Sequence, residues 1–278
     1  MRKKILITGP NGFIGKQVIK CLKTKKIDLT VVVRENSKLD PVLYEHANKI
    51  FYTKDLFSET VDWWIDKCKN IDIVIHLAWF TEPGKYLNSH KNFDCLIGSY
   101  YLAMAAKIVK IKKFVGIGTC AEYDFTDGTL SVETKLSPKT LYGSTKVALY
   151  HVLQNWFNDN SIEFAWCRLF YLYGEGEHPN RLVPYVKRNL AAGEKVELSE
   201  GNQIRDFIDV KIAGEIICKI ALNDKAGVFN VCSGVPKSVK ELVNEVAQEF
   251  SRPDLLKFGV REDNLTDLPK ILGVPNYD

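Results

Sequence analysis

The segment Leu141-Tyr142-Gly143-Ser144-Thr145-Lys146 holds a tyrosine four residues before a lysine. In a helix that spacing puts both side chains on one face and brings an ammonium near a phenol. A free phenol titrates near ~10, so proton transfer at neutrality requires lowering that value by about three, worth about 4 kcal/mol of differential stabilisation. Tyr-x-x-x-Lys also arises by chance in helices, so its surroundings decide its weight. Upstream, Gly116-Ile117-Gly118-Thr119-Cys120-Ala121-Glu122-Tyr123-Asp124 ends a strand and leaves the Thr119 hydroxyl at the carboxyl edge of a sheet, where open α/β folds bind ligands. The chain returns to Tyr142 after a short excursion, so Thr119 and Tyr142 are expected to converge on one carbonyl oxygen.

A second segment, Ile5-Leu6-Ile7-Thr8-Gly9-Pro10-Asn11-Gly12-Phe13-Ile14-Gly15, spaces three glycines by three and three between a strand and a helix. The three glycines serve a tight turn, a bare approach to a pyrophosphate, and close contact of helix with strand. The helix N-terminus adds free N–H groups and the positive end of its dipole. A plain strand-to-helix turn also collects glycine, but the strand-loop-helix context favours a dinucleotide. The second strand ends at Arg34 rather than at a carboxylate, with Ser37 and Lys38 behind it. The Arg34 fork suits a 2′-phosphate, so NADP(H) is favoured. NAD(H) stays open, because Glu35 also reaches the ribose and Arg34 could be a solvated loop residue. Asp55 offers an acceptor to the adenine amino group, or simply caps a helix.

These groups need a sheet to hold them. Apolar and β-branched runs predict strands near Lys4 to Thr8, Leu29 to Arg34, Lys49 to Tyr52, Ile71 to Leu77, Lys113 to Gly118 and Glu163 to Leu169. Between them, Gly15 to Thr24, Thr60 to Lys69, Asn88 to Lys110 and Lys139 to Asn158 read as helices, the alternation of a parallel sheet covered on both faces. After Tyr171, Gly174, Gly176, Pro179 and Pro184 punctuate shorter elements. The expected division is a dinucleotide-binding region over 1–170, with segments near 205–232 returning to it, and a mainly substrate-binding region over 171–278. His76 reads as a satisfied strand-end histidine, and Trp63 and Trp64 as helix packing.

Composition narrows the class. With 278 residues, 46% of them hydrophobic, the chain is globular rather than disordered. A net charge of +4, from 38 basic and 34 acidic residues scattered along the chain, argues against nucleic acid as a partner. No run approaches the ~18 apolar residues of a membrane span, and the apolar run after Met1 reads as a buried strand rather than a signal peptide. Seven widely spaced cysteines without metal-ligand spacing imply reduced thiols, no metal site and a cytoplasmic protein.

In this order, Thr8-Gly9-x-x-Gly12-x-x-Gly15, His76-Leu77-Ala78, Thr119, Tyr142-x-x-x-Lys146, Arg168-Leu169-Phe170-x-x-Tyr173-Gly174 and Arg205-Asp206-Phe207 resemble the extended short-chain dehydrogenase/reductases. These are the NAD(P)-dependent nucleotide-sugar epimerase/dehydratase family, and the resemblance covers nearly the whole chain. It implies a Rossmann-like doubly wound parallel sheet with a smaller C-terminal substrate region. It makes Tyr142 the acid/base, Lys146 the residue that binds the nicotinamide ribose and lowers the tyrosine pKa, and Thr119 the partner of the reacting oxygen. Gly9, Gly12 and Gly15 would cradle the pyrophosphate, Asp55 would meet the adenine, and Asn11, Phe13, Ile14, Leu56, Leu77 and Ala78 would be further cofactor-binding residues. Arg205 would grip the diphosphate of a nucleotide sugar, with Arg181 a second candidate. Trp79 and Tyr86 would bound the sugar pocket or merely pack there, and Cys120 would be a further substrate-binding residue or inert packing. The helices 88–110 and 139–158 would pair with a second copy in a homodimer.

Relatives that eliminate water place an Asp-Glu or Ser-Glu pair after the active-site threonine, where this chain has Cys120 and Ala121. Glu122, one residue further along an extended segment, would point elsewhere. What remains is hydride transfer coupled to a tyrosine proton. The motifs are most similar to the branch that reduces nucleotide-linked 4-keto-6-deoxyhexoses, which agrees with NADP(H). A 4-epimerase with tightly bound NAD is the alternative, and a non-enzymatic NADP(H)-binding regulator a third. Cys95 stands where many relatives carry asparagine, and Lys211-Ile212 replaces an expected acidic residue. The sequence stops at Asp278, before the terminal helix the resemblance implies, so an abbreviated substrate lid or a truncated chain is expected.

Overall fold

Strand β1 (Lys3–Thr8) lies at the centre of a computed structural model that describes residues 2–158, 162–262 and 267–277. Ile5, Leu6 and Ile7 are fully buried, so both faces of this strand are covered. Helix α1 (Phe13–Leu22) leads to β2 (Ile27–Arg34). Next come α2 (Pro41–His46), capped by the Asp40 carboxylate, and β3 (Lys49–Thr53). Helix α3 (Val61–Cys68) precedes β4 (Ile73–His76), and α4 (Lys91–Ile108) precedes β5 (Lys113–Thr119). The short β6 (Thr129–Leu130) separates β5 from α5 (Leu141–Asn158) and β7 (Glu163–Leu169).

Beyond β7 the chain forms β8 (Tyr171–Tyr173), α6 (Leu182–Ala192) and β9 (Val196–Glu197). Then come β10 (Ile204–Asp209), α7 (Val210–Leu222) and β11 (Gly227–Val231). It ends in β12 (Pro236–Ser238), α8 (Val239–Glu249), β13 (Leu256–Lys257) and β14 (Lys270–Gly273). The elements α6 to α8 are longer than the punctuation by proline and glycine suggests. Pro184 sits in the first turn of α6, where its missing N–H costs no helical hydrogen bond.

The main sheet has seven strands in the order β11-β7-β5-β4-β1-β2-β3, every neighbouring pair parallel. The order reverses between β1 and β4, where Thr8 pairs with His76, and a crevice opens at such a switch point. The helices α1 and α7 cover one face, and α3, α4 and α5 the other. Gly214 lets α1 and α7 approach, since a Cβ there would stand 2.7 Å from Gln17 Cβ. A second, mixed sheet runs β12-β10-β14-β6 with β8 beside β10, while β9 pairs with β13. Its own apolar cluster lies between α6 and α8. Among the described residues, no helix is long and apolar enough to cross a membrane.

Candidate active site

The glycine loop leaves β1 at the switch point. Gly9 has φ +67°, and a Cβ there would press within 2.9 Å of the Ala78 backbone. At Gly15 a Cβ would lie 2.2 Å from the Gly9 carbonyl oxygen. The loop is thus packed to the limit of what glycine permits. Gly12 caps α1 without a side-chain bond, and no acidic residue stands in the first turn. The N–H groups at Phe13 and Ile14 therefore face no competing carboxylate, which suits an anion. These residues fit a dinucleotide pyrophosphate.

The loop after β2 is tied to this cradle through Asn11. Its Nδ2 donates to the Lys38 carbonyl (2.8 Å), and its Oδ1 accepts from the Asp40 N–H (3.1 Å). Asn11 is thus a clamp between the glycine loop and the loop after β2. Arg34 and Lys38 are exposed, and Ser37 Oγ donates to the Arg34 carbonyl (2.7 Å). Asp55 is exposed, with one oxygen accepting from Phe57 N–H (3.1 Å), so the turn uses one of its lone-pair sites and leaves others to solvent. Leu56 packs on the apolar cluster beneath α3 and α4.

His76 holds the two central strand ends in place. Ser99 Oγ donates to the Cys95 carbonyl (2.6 Å), so Nε2 of His76 must donate to Ser99 (2.8 Å) and Nδ1 must accept from Thr8 Oγ1 (2.7 Å). Thr8 Oγ1 in turn accepts from the Ala78 N–H (3.3 Å), and Leu77 N–H donates to the Thr8 carbonyl (3.2 Å). Burial and the nearby Lys146 bring the imidazole down to about 3, so it stays neutral.

Tyr142 lies in the first turn of α5. Its N–H donates to the Leu87 carbonyl (2.9 Å), so the loop after β4 caps this helix. Gly143 allows α5 to lie on the turn after β5, since a Cβ would meet the Ala121 oxygen at 2.7 Å. The phenol of Tyr142 hydrogen-bonds with the Thr119 side chain, joining the ends of β5 and α5. Burial pushes the phenol pKa up, Tyr86 adds to the rise, and Thr119 opposes it. In the protein alone desolvation is the largest cause of this shift, so its net direction is upward rather than the expected lowering.

Lys146 is buried, with Nζ donating to the Ile117 carbonyl (2.7 Å) and lying 3.6 Å above the Trp79 ring. Burial brings this ammonium down to about 7, against the pull of the Glu122 charge. Tyr142 is met edge-on by Tyr86 at 4.9 Å and by Trp79 at 6.5 Å. Both flanking rings are placed by Asn92, which is fully buried. Its Oδ1 accepts from Trp79 Nε1 (2.8 Å), and its Nδ2 donates to the Tyr86 carbonyl (2.7 Å). Motif reading does not reach Asn92, whose only signal in the sequence is a polar side chain in the first turn of a long helix. Cys95 is buried, its Sγ accepting from Phe80 N–H (3.3 Å).

After Thr119 the chain does not run on extended. Cys120–Glu122 forms a 3-10 turn with Thr119 as its cap and Glu122 completing a capping box. Glu122 therefore turns inward, fully buried against Arg168. Cys120 packs beside Tyr123, Phe170 and Cys232, and burial pushes its thiol up to about 12.

On the C-terminal side, Arg205 is buried with NH1 donating to the Ile204 and Leu268 carbonyls (2.8 and 2.7 Å) and NH2 paired with Asp267. Its guanidinium lies 5.4 Å from the Tyr171 ring. Asp267 also accepts from Gln203 Nε2 (3.2 Å). Gln203 belongs to a cleft of about 510 Å³ lined by Arg181, Tyr185, Arg188, Phe258 and Arg261. Arg181, exposed at the N-cap of α6, lies in this cleft rather than against Tyr142. Arg188 and Arg261 converge there with it, and sequence reasoning misses them because they come from separate elements with no shared motif.

A family model described as the NAD dependent epimerase/dehydratase family matches residues 5–232. A dTDP-6-deoxy-L-talose 4-dehydrogenase (NAD(+)) of Aggregatibacter actinomycetemcomitans is 25% identical over 258 residues, covering 92% of this chain and 94% of its own. UDP-N-acetylglucosamine 4-epimerase from Methanobrevibacter ruminantium M1, solved in complex with UDP-N-acetylmuramic acid, superposes with TM-score 0.84 at 22% identity, covering 99% of this chain and 90% of that one. MoeE5, solved with UDP-glucuronic acid and NAD, superposes with TM-score 0.79 at 25% identity, covering 98% and 90%. With a family model spanning most of the chain on a seven-stranded parallel sheet, this protein belongs to the NAD-dependent epimerase/dehydratase family.

Proposed function

We propose that this chain reduces the C4 keto group of a nucleotide-linked 4-keto-6-deoxyhexose, with NADP(H) as the favoured hydride partner. The reading is carried by the meeting of Thr119 and Tyr142 at the end of β5, one helical turn from Lys146 and beside the glycine cradle. The positions that hold an acid and a base in eliminating relatives are filled by a buried thiol and Ala121. The 25%-identical relative named for C4 chemistry on a dTDP-6-deoxy sugar supports it. In this reading residues 1–170, with returning segments near 205–232, hold the cofactor, and 171–278 mainly hold the substrate.

Held on the Gly9–Gly15 loop, a nicotinamide dinucleotide would supply the hydride. Thr119 orients the carbonyl oxygen, and Tyr142, kept protonated by its surroundings, gives that oxygen its proton. Lys146 stabilises charge on the phenolate left behind and holds the ribose. Trp79 and Tyr86 close the sides of the sugar pocket. The arginines of the 510 Å³ cleft take the nucleotide, and Arg205 takes its diphosphate on release from Asp267.

The test is to mix the protein with NADPH or NADH and 4-keto-6-deoxyhexoses on dTDP, CDP, GDP and UDP, following loss of reduced-nicotinamide absorbance. Stoichiometric oxidation is expected. A 4-epimerase, the second reading, is favoured by Glu35, an exposed carboxylate beside Arg34 at the ribose end. It would interconvert two sugar nucleotides with no net oxidation. Absence of both reactions with every nucleotide sinks the proposal.

Cofactor choice has its own check. Removing a charge-assisted bond typically costs about 1.5–3 kcal/mol, so Arg34→Ala should weaken NADPH binding by about tenfold or more while changing NADH by less than about twofold. Equal losses for both would assign Arg34 no part in the choice.

The homodimer is read on α4, whose Phe93, Ile97, Tyr101, Met104 and Ile108 are all exposed and recur every three or four residues. Val152 on α5 continues the patch. Light scattering should give about twice 31.6 kDa for the wild type and a monomer for Ile97→Lys. A monomeric wild type would remove the dimer from the proposal.

A further inference from the structure

Beneath the catalytic edge lies a buried ion pair that the proposed chemistry does not use directly. Glu122 and Arg168 have side chains 0% and 2% exposed, with Arg168 Nε 2.6 Å from Glu122 Oε2. Glu122 also accepts from Trp166 Nε1 (3.1 Å) and, through Oε1, from the N–H of Thr119 (2.8 Å). Arg168 is held further by NH1 donating to Tyr123 OH (2.9 Å), which donates to Asn230 Oδ1 (2.6 Å). Taking both charges out of water is expensive, and leaving either one buried without the other is more expensive still. A leucine and a methionine would fill the same volume without that cost. The geometry gives the pair an employment. Gly118 has no Cβ to block it, since one would stand 2.4 Å from Glu122 Oε1. The carboxylate can therefore reach back under the end of β5.

We propose that Glu122 is a positioning residue of this site: a carboxylate fixed by Arg168 and Trp166 that pins the main chain of Thr119 and serves as the buried anion beside Lys146. The groups around Lys146 single it out. The Ile117 carbonyl and the Trp79 ring face Lys146 as neutral partners, α5 contributes Tyr142 one turn earlier, β4 the neutral His76, and α4 the protonated Cys95. Trp166, 5.9 Å from Nζ, is the ring whose N–H binds Glu122. Glu122 is the carboxylate that favours the charged form of Lys146. Its negative charge also raises the Tyr142 pKa, so it keeps the phenol protonated while keeping the amine charged.

The proposal rests on the reading of Tyr142 and Lys146 as working groups, so its test has one arm that needs no substrate. Lysine side-chain carbon resonances are followed against pH, with Lys146→Met assigning the signal. In the wild type Lys146 should titrate near about 7, well below the surface lysines. In Glu122→Gln/Arg168→Gln, which removes both charges and leaves no orphan, it should titrate lower by about one pH unit. In the kinetic arm the same variant should lose kcat by about tenfold, with the KM for the nucleotide sugar within about twofold, because Glu122 touches no ligand. Should that variant not fold, Glu122→Asp repeats the kinetic arm, since the shorter side chain keeps the charge but cannot span Arg168 and Thr119 together. A folded double variant in which Lys146 titrates as in the wild type, or a Glu122→Asp enzyme with wild-type kcat, overturns the proposal. A shifted titration without wild-type turnover on any nucleotide sugar instead sinks the reductase reading and leaves Glu122 in place.

Discussion

Tyr142→Phe is expected to lower kcat by about 10²–10⁴-fold, the usual worth of a positioned general acid, with NADPH affinity unchanged within about twofold. The ring keeps its edge contacts with Tyr86 at 4.9 Å and Trp79 at 6.5 Å, so the loss falls on the proton alone. Desolvation already holds this phenol above its ordinary pKa, and a protonated phenol is the form that reduction needs. Loss of the hydroxyl also frees Thr119 from its partner without removing it. Thermal stability should hold within a few degrees, since a single hydrogen-bonded hydroxyl is worth about 1 kcal/mol. A variant that turns over within about threefold of wild type would remove Tyr142 from its role. Cofactor titration by nicotinamide fluorescence beside steady-state rates separates the two quantities.

Gly15→Ala should weaken cofactor binding sharply with a single methyl group. The added carbon would stand 2.2 Å from the Gly9 oxygen, 2.7 Å from the Pro10 oxygen and 2.8 Å from the Pro10 carbonyl carbon. All three are main-chain atoms, so no rotamer can relieve the overlap, and overpacking of this kind costs about 1–3 kcal/mol or more. The relief is a displaced Gly9–Pro10 segment, which is the cradle itself. NADPH affinity should fall by about 100-fold. Gly84→Asn provides the contrast: Gly84 has φ +79° but nothing within 4 Å of its Cβ position, and asparagine tolerates that conformation. That variant should bind NADPH as the wild type does. Normal binding by Gly15→Ala would mean that the pyrophosphate lies elsewhere.

The central strands are legible because each is a short apolar run bounded by turn residues, and six of the seven main-sheet strands follow from this rule alone. The seventh, β11, shows as Val228-Phe229-Asn230-Val231 within the segments near 205–232 expected to return to the first region, and it pairs with β7. Helix α2 escapes a reading by apolar periodicity, although Asp40-Pro41 is a cap followed by proline at the first helical position. The turn Cys120–Glu122 is also written in the sequence, as Thr-x-x-Glu. Treating it as extended hides the direction of Glu122. Other features have no local signature at all. Arg168 meets Glu122 because β7 lies beside β5 in register, with Gly118 opposite Arg168. Arg205 meets Asp267 across a separation of 62 residues. Pairings of that kind come from topology, and a rule of spacing does not reach them. The direction of the Tyr142 shift depends likewise on how much protein surrounds the phenol, which no motif encodes.

The path of the chain through β10, α7 and β11 ties the two regions into one fabric. After leaving β7 the chain builds part of the second sheet, then crosses back to lay β11 along the outer side of β7. Cutting near residue 170 would strip β7 of its outer neighbour and bare a row of unsatisfied N–H and C=O groups. Exchanging the region beyond β7 with that of a relative therefore demands two junctions, one on each side of the returning strand, and a single crossover would unravel the half it meant to preserve.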